Sequence, residues 1–492
     1  MRRVEHVAYD GIHASRSEVW EVADLAALRA ALTRLADAGR RATVRAAGLS
    51  LDAQALGNDV TLRLAPEGFA EIGAVRTAGG RATVRLGAMA RWGDVFDAIL
   101  PRGYLTPNVV TGSEITVGGS LSSDCLSRFS GAWGKEAEAL DAIEVMTPDG
   151  VVHVARPDAP EGSLARRLFA GVVGGFGAFG VVLAATYRLR RVGRRRPWAK
   201  TVFETFHPRD FSWADFLTRV RDETLAARRV VRACGPRAWR GALPRGVYDA
   251  VSATAWFPTY GSTRGLLLRS RHVTAPGRSK MLLYRGLTRT RVLGEVALAN
   301  AAMGDATQDA NRLWCNRYPE SVDDIDAFSF FMDGNAEARH LMAARTSHVL
   351  TSLQQTFVLP EGAAEGFVRE VEARMAGRWP TILDVLHLPA DDAPVTLSPT
   401  RGRGGFAITL AWQTLDGRRL DGARALVRLL SKRCADVGGR VSLVKNVYAS
   451  DAVVRGMYAE GIAEARALKR EVDPRGVLGG PFVDRLLGQR RP

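Results

Sequence analysis

Apolar and polar positions along this chain follow two periods, and the period changes every ten to fifteen residues or so. From Leu25 to Ala38 apolar residues recur at helical spacing and stop at Gly39. Ala42 to Ala46 then reads as a strand entering a glycine turn, and Asp59 to Leu64 and Ala82 to Leu86 alternate as half-buried strands do. Ala90 to Leu100 returns to helical spacing and halts before Pro101. Ala139 to Met146 and Val151 to Ala155 flank Thr147-Pro148-Asp149-Gly150, which predicts a hairpin. Leu164 to Phe169 reads as helix and Gly180 to Leu189 as an apolar strand. The elements alternate without a strict βαβ rhythm, so the pattern predicts an α+β fold.

Beyond residue 198 the texture changes. Residues 198–439 hold much of the aromatic content and the alternating segments Leu350 to Leu359 and Gly405 to Gln413. These predict a sheet carrying a pocket, with helices over Glu361 to Met375 and Gly422 to Ala435 on its other face. Gly438 to Lys445 reads as a strand aimed at Lys445, followed by a helix that runs to Val472.

A length of 492 residues calls for two domains or more. Hydrophobic content of 46% and charged content of 24% are globular values. No apolar run reaches membrane-spanning length, and the start lacks a signal-peptide core, so the expected location is cytoplasmic. The 4 cysteines are scattered, without a C-x-x-C or His pairing at metal spacing, so no metal site is expected. The formal charge of +16 comes mostly from arginine and favours encounter with anions. Its densest run, Arg188 to Pro197, reads as a solvated connector between domains. No zinc-finger, RRM or basic-zipper pattern accompanies the charge, so no specific nucleic-acid partner is expected. Peripheral contact with acidic lipid headgroups stays open.

Three glycine-bearing segments carry the candidate chemistry. They are Arg45-Ala46-Ala47-Gly48-Leu49-Ser50, Thr111-Gly112-Ser113-Glu114-Ile115-Thr116-Val117-Gly118-Gly119, and Val173-Gly174-Gly175-Phe176-Gly177-Ala178-Phe179-Gly180. Glycine lets main chain approach a ligand closely and take positive φ, so that amides converge on an anion. Three such segments in this order suggest a long dinucleotide gripped by backbone, and hence a flavin.

The same segments resemble the FAD-binding domain of the vanillyl-alcohol-oxidase (PCMH) type. The chain's end resembles the decaprenylphosphoryl-ribose oxidase group at Gly438-Gly439-Arg440-Val441, Lys445, Met457-Tyr458 and Lys469 to Val477. Leu353-Gln354-Gln355-Thr356-Phe357-Val358-Leu359-Pro360 resembles that group too. The resemblance implies a two-domain fold, with residues 1–195 and the returning segment 440–492 binding FAD. Residues 196–439 would form a mixed-sheet cap over the substrate. It implies that Arg45, Ala46, Ala47, Gly48, Leu49 and Ser50 wrap the pyrophosphate, with Ser113, Gly118 and Gly119 beside it and the ring. Ser122 and Ser123 would donate hydroxyls, or else face solvent as loop serines. Gly175, Gly180 and the backbone of Val182 would pass close to the rings.

Leu49 stands where relatives carry a flavin-linking histidine, so the expectation is non-covalent FAD. The resemblance places Lys445 over the flavin near the substrate. There a cation stabilises negative charge and orients a hydroxyl. His387 stands where the group has a lysine and would serve as base or phosphate ligand, or as hydrogen-bonded packing. Gln354 would point into the pocket, although Gln355 and Thr356 alternate with it; Tyr448 would touch substrate or pack. The group's histidine- and lysine-bearing loop is replaced by the shorter 124–130, so its lipid-linked substrate does not carry over. The implied activity is oxidation of a secondary alcohol (a sugar, cyclitol, or phosphorylated or glycosylated polyol), with the electron acceptor unspecified. The alternatives are a flavin-dependent C=C reductase and a catalytically silent anion-binding protein.

Overall fold

The computed structural model describes residues 3–193, 197–207, 209–234, 246–256, 263–273, 315–330, 350–375, 382–414 and 420–488, with isolated positions 243, 332, 333 and 341. It has three sheets. The first joins β1 (Arg3–Val7), β2 (Ala14–Val22), β3 (Ala42–Val44) and β4 (Val60–Leu64) in the order β1-β2-β4-β3. β3 and β2 both run parallel to β4. The Leu25–Asp37 helix, capped by the Asp24 side chain on the Ala27 amide, covers this sheet with Leu28, Leu32 and Leu35.

The second sheet joins β5 (Arg76–Ala78), β6 (Arg81–Gly87), β7 (Tyr104–Leu105), β8 (Leu140–Met146), β9 (Val152–Ala155) and β10 (Val181–Arg191). Its order is β5-β6-β10-β8-β9, with β7 also on β10. β8 and β9 form the hairpin that the turn sequence predicts.

The third and largest sheet joins β11 (Trp198–Phe206), β12 (Ala250–Trp256), β13 (Arg264–Val273), β14 (Glu320–Asp324), β15 (Thr351–Leu359), β16 (Ile382–Leu388), β17 (Gly405–Thr414) and β18 (Arg440–Val441). Its order is β14-β11-β13-β12-β16-β17-β15-β18. Helices Trp213–Cys234, Glu361–Arg374 and Asp421–Asp436 bury their apolar stripes on one face through Phe216, Val220, Phe367, Val371, Val427 and Leu430. The fold is mixed α+β, with the third sheet separate from the first two.

The chain's end ties both halves together. The main chain of Ala42 exchanges hydrogen bonds with Val477 and Gly479, and Arg41 pairs with Asp484 at 2.5 Å. β18 meanwhile joins the cap sheet through β15.

Three expectations change here. The basic run is not a solvated connector at its start, because β10 extends to Arg191 and two of its arginines are paired with carboxylates. Arg190 is only 3% exposed and pairs with Asp249 at 2.7 Å, and Arg188 reaches Asp141 at 3.2 Å. Charge there is matched inside rather than solvated; Arg194, Arg195 and Arg196 lie outside the described residues. The strand aimed at Lys445 shrinks to the two residues of β18, so Lys445 sits in a loop. The helix leading to Val472 is two helices, Asp451–Met457 and Ala459–Val472, broken at Tyr458. The hydroxyl of Tyr458 donates to the Val441 carbonyl at 2.6 Å and pins that break to β18.

Candidate active site

β3 ends by handing the Arg45 amide to the Leu62 carbonyl at 3.0 Å. The chain then leaves the sheet. Among the described residues, the main-chain N–H groups from Ala46 to Leu51 have no protein acceptor. Such a row of free donors in a turn is an anion-binding concavity. Gly48 makes it possible, with φ +74 and no room for a Cβ, which would meet the Arg45 guanidinium at 2.5 Å. Arg45 itself turns behind the loop and donates to the carbonyls of Val7 at 2.9 Å and Ala55 at 3.3 Å. It braces the loop and does not line it.

The loop opens onto a cleft that residues of all three glycine segments and of the C-terminal loop line together. Ala46, Ala47, Gly48, Leu49 and Ser50 form one wall. Gly118, Gly119, Ser122 and Ser123 form the floor; Phe176, Gly177, Gly180 and Val182 close another side.

The floor works differently from the expectation. The Thr116 side chain caps helix Val117–Ser123 by accepting from Gly119, and the Gly118 amide donates to the Ala88 carbonyl at 2.8 Å. Those amides are already paired, so the two glycines contribute closeness rather than donors. A Cβ on Gly118 would come within 3.0 Å of Ala88. Ser113, expected beside the cofactor, does not line the cleft, and its amide donates to Asp333 at 2.8 Å. Gly175 packs on Gly171, whose carbonyl an added Cβ would meet at 2.0 Å, while Phe176 (φ 52) and Gly177 (φ 75) face the cleft.

Lys445 lines the far end of the cleft with Cys125 and Leu126. Its ammonium donates to Gln354 Oε1 at 2.9 Å, so the cap strand β15 and the C-terminal loop meet at this group. Burial lowers its pKa, opposed by the charge of Asp384. The loop is held by residues distant in sequence. Gln54 donates to the carbonyls of Leu443 and Lys445 at 3.1 and 3.0 Å. Asn446 accepts from the Gln354 amide and donates to Asp10 and to the Leu51 carbonyl. Asp52 accepts from the Val447 amide at 2.8 Å. One side chain, Asn446, thus links the amide loop, the cap strand and Lys445. Sequence reasoning missed Asn446, Gln54, Asp10 and Asp52. Asn446, next to Lys445, was the one with any local signal.

Alternation on β15 settles which of its polar residues face the site. Gln354 and Thr356 share the face toward Lys445, whereas Gln355 donates to Ser431 on the covering helix at 2.6 Å. Two other candidates lie away from the site. His387 points to the helix face of β16, where Nε2 lies 2.8 Å from Glu361 Oε1, and burial lowers its pKa. Tyr448 packs beside His13 with ring centroids 6.2 Å apart and is not on the cleft wall. The site-facing acid of β16 is Asp384, which sequence reading did not single out. The 124–130 loop is fixed by a buried pair, Asp124 with Lys135, and Lys135 also donates to Ser398 of the cap at 2.6 Å. Among the described residues no cluster of three or more metal-ligating side chains gathers.

Residues 17–156 match the FAD binding domain family. That stretch of the chain is an FAD-binding domain. The match takes in the free-amide loop and the capped glycine helix, and these fit FAD as the resident cofactor of this flavoprotein. The flavoprotein is 33% identical to cytokinin dehydrogenase 8 of Oryza sativa subsp. indica over 195 residues, 37% of this chain. That alignment spans only 35% of the dehydrogenase's own length. It is 24% identical over 396 residues to decaprenylphosphoryl-beta-D-ribose oxidase of Mycolicibacterium smegmatis, covering 79% of this chain and 77% of that one. It is 26% identical over 405 residues to an uncharacterized Streptomyces coelicolor protein from the mprA 5′ region, covering 79% and 98%. No helix among the described residues is long and apolar enough to cross a membrane.

Proposed function

We propose that this flavoprotein oxidises a secondary alcohol on a sugar, cyclitol or phosphorylated or glycosylated polyol, with FAD held non-covalently. The observation that carries the reading is Lys445, fixed at the end of the cleft by Gln354 and joined through Asn446 to the amide loop. Bound FAD supplies a two-electron acceptor that takes hydride at N5. The amides of Ala46 to Leu51 would hold its pyrophosphate. Lys445 would supply positive charge where reduction adds negative charge and would orient a substrate hydroxyl. Leu49 offers no nucleophile for a covalent link, and burial keeps the nearby Cys125 thiol protonated. The long relative whose name specifies a ribose oxidase supports the alcohol class. The protein works in the cytoplasm; the electron acceptor is oxygen, a carrier or a partner enzyme.

The likeness to cytokinin dehydrogenase favours a second substrate class, cytokinins. Anaerobic mixing separates the two. Sugars, cyclitols and their phosphates are expected to bleach the FAD-loaded protein. Bleaching by cytokinins alone, or by NAD(P)H alone, would contradict the alcohol reading.

A further inference from the structure

We propose that Asp384 is the group that accepts the substrate's proton. The proposal rests on the alcohol reading above and fills the role that His387, turned to the other face of β16, leaves open. Asp384 stands opposite Thr254 on β12 and Thr409 on β17, and Thr409 stands opposite Thr356 on β15. Cross-strand partners share a face, so these residues form one polar row across the cap sheet. The Thr356 and Thr409 hydroxyls bond at 2.7 Å. Gln354, two residues from Thr356, belongs to the same face and holds the Lys445 ammonium. The row therefore runs from Lys445 into the cap.

Two cations act on Asp384 through their charge, Lys445 on the C-terminal loop and Arg128 on the 124–130 loop. Asp323 on β14 also acts on Arg128. The neighbouring strands contribute only threonines. Other buried acids nearby are each tied down: Asp10 and Asp52 by the Asn446 and Val447 nitrogens, Asp124 by Lys135, Asp249 by Arg190, and Glu136 by Ser120 and Tyr187. The Asp384 carboxylate makes no hydrogen bond or ion pair with any described residue. Asp384 is half-buried, and a partly enclosed acid that no protein group engages is open to a ligand's proton. Burial pushes its carboxyl up to about 6 against the pull of the two cations, which suits a base at neutral pH. In the step, the alcohol O–H bond breaks and its proton joins a carboxylate oxygen. The freed electron pair becomes the second C–O bond as the C–H pair leaves as hydride to the FAD.

The test uses the FAD-loaded protein in two measurements. In the first, the visible flavin spectrum is titrated without substrate between about pH 5 and 8. The wild type is expected to show a one-proton change with a midpoint near 6. Asp384→Asn should lack it and His387→Gln should keep it. In the second, anaerobic flavin reduction by the most effective polyol is followed. Asp384→Asn should slow it about 10²–10⁴-fold while retaining FAD, and Asp384→Glu should recover part of the loss. A flat wild-type spectrum, a transition that survives in Asp384→Asn, or wild-type reduction rates in that variant would overturn the proposal. If no polyol reduces the wild type, the alcohol reading falls by itself, and the spectral titration still decides whether Asp384 ionises beside the ring.

Discussion

Lysine is scarce in this arginine-rich chain, and two of the buried ones are committed to carboxylates. Lys135 pairs with Asp124, and Lys469 lies 2.5 Å from Asp473. Lys445 instead bonds the uncharged Gln354, which leaves its positive charge for the cleft. Lys445→Met keeps the length and removes the charge. It is expected to retain FAD and lower the rate of flavin reduction by about 10²–10³-fold, the usual effect of deleting one charge-stabilising donor. Stopped-flow reduction under argon reads this directly, and a fully active variant would refute the role. Gly48 is the matching test for cofactor binding. With φ +74 and Arg45 behind it, Gly48→Ala incurs about 1–2 kcal/mol of left-handed strain as well as a clash. FAD affinity measured by fluorescence quenching should fall at least about tenfold.

The elements show what a pattern of apolar positions can and cannot disclose. The period shifts gave β3, β4, β8, β9, β10, β15, β17 and the helices Glu361–Arg374 and Asp421–Asp436 to within a residue or two, whereas the helix Trp213–Cys234 on the same sheet went unread. On β16 the side that faces the site is what stays hidden. Its Leu383, Val385 and His387 meet helices while Asp384 faces the site, and both faces are covered. Alternation therefore gives no sign of which side is the pocket, and His387 rather than Asp384 drew attention. The loop carrying Lys445 was misread as strand for a related reason. Its backbone is held by hydrogen bonds to the Gln54 and Asp52 side chains, and its Asn446 by one to Asp10, about four hundred positions earlier, and not by a ladder. The glycine helix Val117–Ser123 hides a further element-level property. Ser120 on its inner side donates to Glu136 at 2.7 Å, and Tyr187 does so at 2.6 Å. Burial pushes the Glu136 carboxyl from 4.5 up to about 8. A group with a raised folded value lends stability that is complete below its unfolded value and is lost as pH climbs through the folded one. Wild-type stability should therefore fall by about 1.4 kcal/mol per pH unit between 4.5 and about 8, on this group's account. Denaturant melts across that window should show the slope, and Glu136→Gln should flatten it.

At the scale of the whole molecule, the two halves are joined by matched charge and by the returning chain. Asp249 of the cap receives Arg190 from β10 at 2.7 Å and lies 2.6 Å from His272. Burial alone would raise its carboxyl, but those two partners hold it well below the usual range. The Lys135–Ser398 bond and the Asn446 links cross the same boundary beside the cleft. Such a joint suits a protein whose cofactor loop, proposed catalytic lysine and cap acid come from three distant stretches of chain. The central claim is that free main-chain amides grip FAD while Lys445 waits at its reactive end. Its most direct test is the visible spectrum of the purified protein after saturation with FAD, desalting and acid precipitation. The account predicts that oxidised-flavin absorption survives desalting, is lost in Gly48→Ala, and passes wholly to the supernatant on acidification. A protein left colourless after saturation would contradict the grip, and colour retained in the acid pellet would contradict the non-covalent bond.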